Sequence, residues 1–183
     1  MKAIVDLLFE TKMLKEIPRA GYHFLGTGSE SVAEHCFSAT FIAYVMAHLQ
    51  PGADALRLVT MCLVHDLAEA RTGDLNYVQK KYVKADEKKA IADATGKLPF
   101  KSDIKELVEE FNRQETMEAK LAHDADQISF ILDLKSLSDK GGKTPEKWLP
   151  FVINRLKTGL GKKLAEEITS RNWDDWWIEE YTE

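Results

Sequence analysis

Residues 56–74, LRLVTMCLVHDLAEARTGD, decide the fold class. Apolar side chains recur there at helical spacing, and Gly73 suits the position just past a helix end. The spacing predicts a helix from about Ala53 to Gly73 that carries His65, Asp66 and Glu69, with Asp74 just beyond its end. A dry core avoids such a row, because a buried ionisable group without a partner is costly. The row therefore calls for solvent or a cation. His65 and Glu69 are i, i+4 neighbours, and Asp66 and Glu69 are i, i+3. His65 and Asp66 differ by about 100° around a helix axis, yet a long imidazole and a short carboxylate can converge on one cation beside it.

Outward from this segment, the rest of the chain also reads as helix. A first helix is expected over residues 2–16, stopping near Pro18. The polar, Gly-rich connection RAGYHFLGTG (19–28) follows, and it is rich in groups that can face a ligand. Ser31 and Glu34 then have capping-box spacing at the start of a central helix that is apolar on nearly all faces through CFSATFIAYVMAHL (36–49). After a charged piece at 83–96, one or two helices run through residues 102–139, with Thr116 as a cap within them. KGGKTPEKW (140–148) breaks the chain, with Thr144 read as N-cap and Pro145 as the first helical residue of the next element. A further helix and a tryptophan-rich end complete the chain. Neither an alternating strand pattern nor an internal repeat is present, so the expected fold is an all-α, single-domain helical bundle over residues 1–183.

Composition narrows the function. The chain is 44% hydrophobic and 30% charged, with only 10 Gly and 5 Pro, the balance of a helix-rich globular protein. Its net charge of −5 and the lack of a Lys/Arg stripe argue against a nucleic-acid polymer as partner. No apolar run is long enough to span a bilayer. MKAIVDLLFETKMLK (1–15) has Asp6 in its apolar part and no small-residue cleavage site, so it reads as an amphipathic helix, not a signal peptide. Cys36 and Cys62 lack CxxC spacing and read as core residues, which points to a cytoplasmic protein without a disulfide framework.

His65 and Asp66 alone make too small a ligand set. His35, in the first turn of the central helix, and Asp126, in KLAHDADQISFIL (120–132), are the best further donors, because each is an odd core residue without a partner. Taken in order, PRAGY (18–22), ESVAEH (30–35), LVHDLAEARTGD (63–74) and EAKLAHDADQ (118–127) resemble the HD-domain metal-dependent phosphohydrolases, and within them the 5′-deoxynucleotidase branch. The resemblance implies that His35, His65, Asp66 and Asp126 bind one divalent cation. Glu69 and Asp74 match acidic positions beside the metal that take part in hydrolysis, and Arg19 matches an arginine that holds the substrate phosphate. Tyr22 is the accompanying aromatic substrate contact. It follows Ala20 and Gly21, whereas some relatives place a Trp directly after the arginine. After Asp74 this chain reads LNYVQKK (75–81), where many relatives have a proline. The resemblance also implies a homodimer.

Mixed His and Asp ligands with room for water suit manganese, cobalt, nickel, iron or zinc. The expected reaction is hydrolysis of a nucleoside 5′-monophosphate, a deoxynucleotide foremost, to nucleoside and phosphate. A same-fold hydrolase of nucleoside triphosphates or of a guanosine alarmone, and a non-catalytic metal and nucleotide sensor, stay open as alternatives. Lys80, Lys81 and Arg71 read as solvated charges, and His48 as a favourable cation at a helix C-terminus. His123 reads as an exposed polar residue or a partner to a ligand, His23 stays open in the ligand-facing loop, and NWDDWWIEEY (172–181) reads as a packing or dimer surface.

Overall fold

Ser31 and Glu34 set the start of the central helix. The Ser31 hydroxyl accepts the Glu34 N–H at 3.2 Å while the Glu34 carboxylate accepts the Ser31 N–H at 2.6 Å, a reciprocal capping box. The structure, a computed structural model, describes residues 1–181. Its helices are α1 (Lys2–Thr11), α2 (Val32–Leu49), α3 (Ala55–Val64), α4 (Glu69–Thr72), α5 (Glu87–Thr95), α6 (Lys101–Arg113), α7 (Met117–Asp139), α8 (Lys143–Ile153), α9 (Gly159–Ser170) and α10 (Asp175–Tyr181). Three short 3-10 helices, Lys12–Lys15, Ala20–Phe24 and Gln79–Lys81, complete them. Among the described residues, bridging between extended segments is confined to Pro18 and Ser31, so the fold is all-α.

Helix α7 runs through the middle, packed against α2, α3, α8 and α9. Ala39 and Ala43 on α2 and Ala119, Ala122 and Ala125 on α7 are fully buried small residues that let the backbones approach. Around them Met46, Leu58, Met61, Leu121, Ile128, Ile131 and Leu134 fill the main core. The Arg57 guanidinium on α3 grips Glu110 of α6, with Nε donating at 2.8 Å, and Glu110 also accepts the Thr116 hydroxyl at 2.6 Å. That network fixes the α6–α7 corner, where Gln114 adopts a left-handed conformation (φ 54°) and Thr116 caps α7 as expected.

Three expected elements differ. The first helix gives way after Thr11 to a 3-10 turn over Lys12–Lys15, in which i to i+3 bonds satisfy terminal carbonyls. The expected helix from Ala53 to Gly73 starts at Ala55, capped by Asp54, and is broken after Val64. Leu67, Glu69 and Ala70 donate to the residue three back, at 3.1, 2.9 and 3.3 Å, across the break and into the first turn of α4. The cause is His65, whose Nδ1 lies 2.8 Å from the Cys62 carbonyl, the acceptor an unbroken helix would offer to the Asp66 N–H. Helix α8 begins at Lys143 with Gly142 as its N-cap, not Thr144. Gly141 (φ 96°) and Gly142 close the end of α7 by donating to Ser138 and Leu137 at 2.8 and 2.9 Å, which leaves no spare residue before the next helix. Pro145 still falls in the first turn, where its missing N–H has no partner to lose.

Candidate metal centre and substrate cavity

Three separate elements bring the four proposed ligands together: His35 from α2, His65 and Asp66 from the turn between α3 and α4, and Asp126 from α7. His35 Nε2 lies 2.9 Å from Asp126 Oδ1 and 3.8 Å from Asp66 Oδ2, and His65 Nε2 lies 3.2 Å from Asp66 Oδ2. Ligand atoms of His35, His65 and Asp126 all fall within 4.8 Å of one another. His35 Nε2, His65 Nε2, Asp66 Oδ2 and Glu69 Oε2 are buried and lack a hydrogen-bond partner of good geometry. Buried polar atoms are rarely left so, and nitrogen and oxygen donors gathered at one point fit a divalent cation.

Neighbouring groups orient these ligands. With His65 Nδ1 turned to the Cys62 carbonyl, Nε2 is the nitrogen facing the cluster. His35 Nδ1 lies 3.4 Å from the Ser129 hydroxyl and 3.8 Å from Glu30. Asp126 Oδ2 accepts the Gln127 side-chain amide at 2.7 Å. Cys36, buried on α2, brings its thiol within 4.8 Å of ligand atoms of His65 and Asp66, and burial raises its pKa.

Charge in the cluster is unbalanced. Burial opposes a proton on His65, but Asp66 beside it raises its pKa to about 9. Burial alone would raise the Asp126 carboxyl, yet His35, His65 and Arg19 hold it well below the usual carboxylate range. Glu69 is pushed up to about 8 by burial and by the charges of Asp66 and Asp74. A bound cation relieves this crowding of carboxylates.

Arg19 reaches the same point from the other side. Its N–H donates to the Glu30 carbonyl at 2.8 Å, next to the Pro18–Ser31 bridge, and its Nη1 lies 3.5 Å from Asp66 Oδ2. Burial works against its charge, but Asp66, Asp126, Asp74 and Glu69 more than offset this and hold the guanidinium protonated. Asp74 accepts the Ala20 N–H at 2.8 Å, which ties the loop carrying Arg19 to the end of α4, where Gly73 turns the chain at φ 71°. A cavity of about 500 Å³ opens here. Arg19, Tyr22, His65, Asp66, Glu69, Asp74 and Asp126 all line it, while His35 is fully buried and does not.

Tyr22 contributes its ring to the wall, whereas its hydroxyl donates to Asp133 with Glu30 at 3.5 Å. Arg71 pairs with Glu10, Lys81 sits 4.3 Å from the Tyr77 ring centroid, and Lys80 lines the cavity although exposed. His123 is half-buried with Nδ1 3.5 Å from Asp124, and His48 meets the Tyr44 ring at 4.6 Å. Sequence reading missed Glu30, Gln127 and an aromatic wall of Phe24, Phe130, Trp148 and Phe151. Glu30, Gln127 and Phe24 left a local trace, inside SESVAEH, directly after Asp126 and inside RAGYHFLGTG, whereas Phe130, Trp148 and Phe151 left none.

The sequence profile of the HD domain matches residues 11–169. The 5′-deoxynucleotidase HDDC2 of Danio rerio is 30% identical over 166 residues, covering 84% of this chain and 82% of that protein. Its counterpart in Homo sapiens is 29% identical over 144 residues, covering 75% and 70%. A conserved hypothetical protein from Pyrococcus furiosus superposes with a TM-score of 0.77 at 27% identity, over 91% of this chain and 99% of that one. A helical bundle holding two histidines and two aspartates against an arginine-bearing cavity defines the class, that of the metal-dependent phosphohydrolases. The chain belongs to the HD-domain family, and within it to those hydrolases.

Proposed function

We propose that this protein hydrolyses nucleoside 5′-monophosphates, deoxynucleotides foremost, to nucleoside and inorganic phosphate. One observation carries the reading: the Arg19 guanidinium stands 3.5 Å from Asp66, in a cavity that also exposes Glu69 and Asp74 to whatever binds there. The names of the relatives support the same substrate class.

His35, His65, Asp66 and Asp126 hold the cation, which is manganese, cobalt, nickel, iron or zinc. When bound, it lowers the pKa of water and neutralises phosphoryl oxygens. Arg19 grips the phosphate oxygens through its planar fork of donors, and the Tyr22 ring walls the substrate in. Glu69, with Oε2 unpartnered, orients the attacking water and takes its proton. As the new P–O bond forms, the bond from phosphorus to the 5′ oxygen breaks, and that oxygen takes a proton from solvent water to leave as the nucleoside hydroxyl, while Glu69 returns the proton it accepted to solvent. Asp74 keeps the Arg19 loop in place through Ala20. A sensor has no use for Glu69 beside its ligands, which disfavours the non-catalytic alternative.

Exposed Phe37, Phe41, Tyr44 and Leu49 on α2, together with Leu56 and Leu63 on α3, support a homodimer. The tryptophan-rich α10 is another exposed aromatic surface. Among the described residues no helix is long and apolar enough to cross a membrane. The free, buried thiols of Cys36 and Cys62 support a cytoplasmic setting.

The test is a substrate screen. Metal-stripped protein, resupplied with one cation at a time, is offered nucleoside mono-, di- and triphosphates. Orthophosphate from monophosphates is expected. Triphosphate or pyrophosphate as the product contradicts the reading.

A further inference from the structure

We infer that the aromatic part of the cavity, built by Phe24, Trp148 and Phe151 with Arg155 beside it, holds the base of the nucleotide by stacking; this rests on the monophosphatase reading above. Arg19 is the N-cap of the five-residue 3-10 helix Ala20–Phe24. Phe24 closes that helix, so Arg19 and Phe24 stand at its two ends and both line the one cavity. Between them lies Gly21, which lines the cavity and where an added Cβ would meet no atom within 4 Å. The wall is therefore open between the two.

The ring arrangement suits a flat ligand. Phe24 and Trp148 lie nearly parallel, 20° between planes with centroids 6.3 Å apart. Phe130 meets Trp148 edge-on at 6.2 Å and 85°, and Tyr22 meets Phe130 edge-on at 6.1 Å, so the tryptophan is buttressed from the side of the phosphate site. Phe151 follows Trp148 by three residues on α8, hence on the same face, and is 69% exposed; Phe24 is 40% exposed. Apolar rings left open to solvent beside a polar cavity mark a binding surface.

Arg155 also lines the cavity, tethered by one long hydrogen bond from Nη1 to Gln127 Oε1 at 3.4 Å. Its other donors can meet carbonyl oxygens or ring nitrogens of different bases. Every base has a π-face, so stacking with one adaptable arginine accepts purines and pyrimidines alike.

The experiment compares deoxynucleoside 5′-monophosphates with deoxyribose 5-phosphate, which has the sugar and phosphate but no base. The ratio of kcat/KM for nucleotide over deoxyribose 5-phosphate is expected to fall roughly 10-fold in Trp148→Ala and in Phe24→Ala, the scale of one lost base–aromatic stack. Trp148→Phe should restore most of it. Phe24 is the more exposed of the two, so Phe24→Ala keeps the test informative where Trp148→Ala fails to fold. An unchanged ratio in Phe24→Ala and in folded Trp148→Ala overturns the inference. If the unmodified protein hydrolyses no monophosphate, the monophosphatase reading falls and quenching of tryptophan fluorescence by deoxyadenosine and deoxycytidine monophosphates judges the slot on its own. Loss of quenching in Phe24→Ala then supports it, and equal quenching in both proteins overturns it.

Discussion

Arg19 Nη1 and Asp66 Oδ2 stand 3.5 Å apart, so the guanidinium proposed to hold phosphate and the carboxylate proposed to hold metal share one cavity. With a cation held at Asp66, a phosphoryl oxygen in that cavity would meet two positive centres, the cation and the Arg19 guanidinium. Replacing Arg19 with Lys keeps the charge but loses the planar fork. We expect kcat/KM for a monophosphate to fall about 10- to 100-fold in Arg19→Ala, from the worth of hydrogen bonds to a charged group, and Arg19→Lys to recover only part of it. Steady-state kinetics across a range of substrate concentrations checks this.

Removing a ligand should remove the ion. Asp126→Ala and His65→Ala are expected to lose bound metal and turnover together, as measured by elemental analysis of the purified proteins. Thermal stability follows from the same linkage. A cation that binds only the folded state at 100 times its dissociation constant contributes about 2.7 kcal/mol, so chelation should lower the Tm of the unmodified protein and leave that of Asp126→Ala nearly unmoved. An Asp126→Ala protein with full metal and activity would show that the fourth ligand lies elsewhere.

Glu69→Gln separates an enzyme from a sensor. The substitution keeps shape and hydrogen-bonding reach but removes the proton-accepting carboxylate. Metal content and nucleotide binding should survive while kcat drops by roughly 10²–10⁴-fold, the usual contribution of a positioned acid or base, with little change in KM. Near-full activity in Glu69→Gln moves the role to Asp74.

Asp124, two residues before Asp126, has a structural task. It is fully buried and accepts the N–H groups of Lys157 and Thr158 at 2.7 and 2.8 Å, together with the Thr158 hydroxyl at 2.6 Å, which docks the start of α9 against α7. Burial alone would raise its carboxyl, but His123 and these hydrogen bonds hold it below the usual carboxylate value. A lowered folded pKa means the contribution is fully present above the unfolded pKa and is lost as pH falls through the folded one. Urea unfolding should therefore find Asp124→Ala destabilised by about 1–3 kcal/mol at neutral pH, from donors left without an acceptor, with the gap closing in acid. Gly161→Ala should also destabilise, because an added Cβ would collide with the hydrogen-bonded carboxylate of Asp124.

Local signals were legible in the sequence, and long-range ones were not. The capping box of Ser31 and Glu34 and the Thr116 cap depend on neighbours three residues away, and both are in place. His35, His65, Asp66 and Asp126 are conspicuous because apolar helices surround them; His35, His65 and Asp126 bring ligand atoms within 4.8 Å of one another, and Asp66 meets both histidines. The break after Val64 was hidden, because it depends on the His65 imidazole taking the Cys62 carbonyl in place of a backbone donor. Asp124 and Asp126 look alike in EAKLAHDADQ, yet about 200° of helical rotation separates them, so one serves α9 and the other the metal cluster. The aromatic wall joins Phe24 to Trp148 across more than a hundred residues, beyond the reach of any local pattern.

One cation in the His35, His65, Asp66 and Asp126 cluster is proposed to make this protein a phosphomonoester hydrolase. The most direct measurement is a titration of metal-stripped protein with a single divalent cation, following bound metal and orthophosphate release from a deoxynucleoside 5′-monophosphate in the same samples. Both are expected to rise in parallel and level off at one ion per chain. Turnover at full rate without metal, or full metal occupancy under every cation with no orthophosphate released, would contradict the proposal.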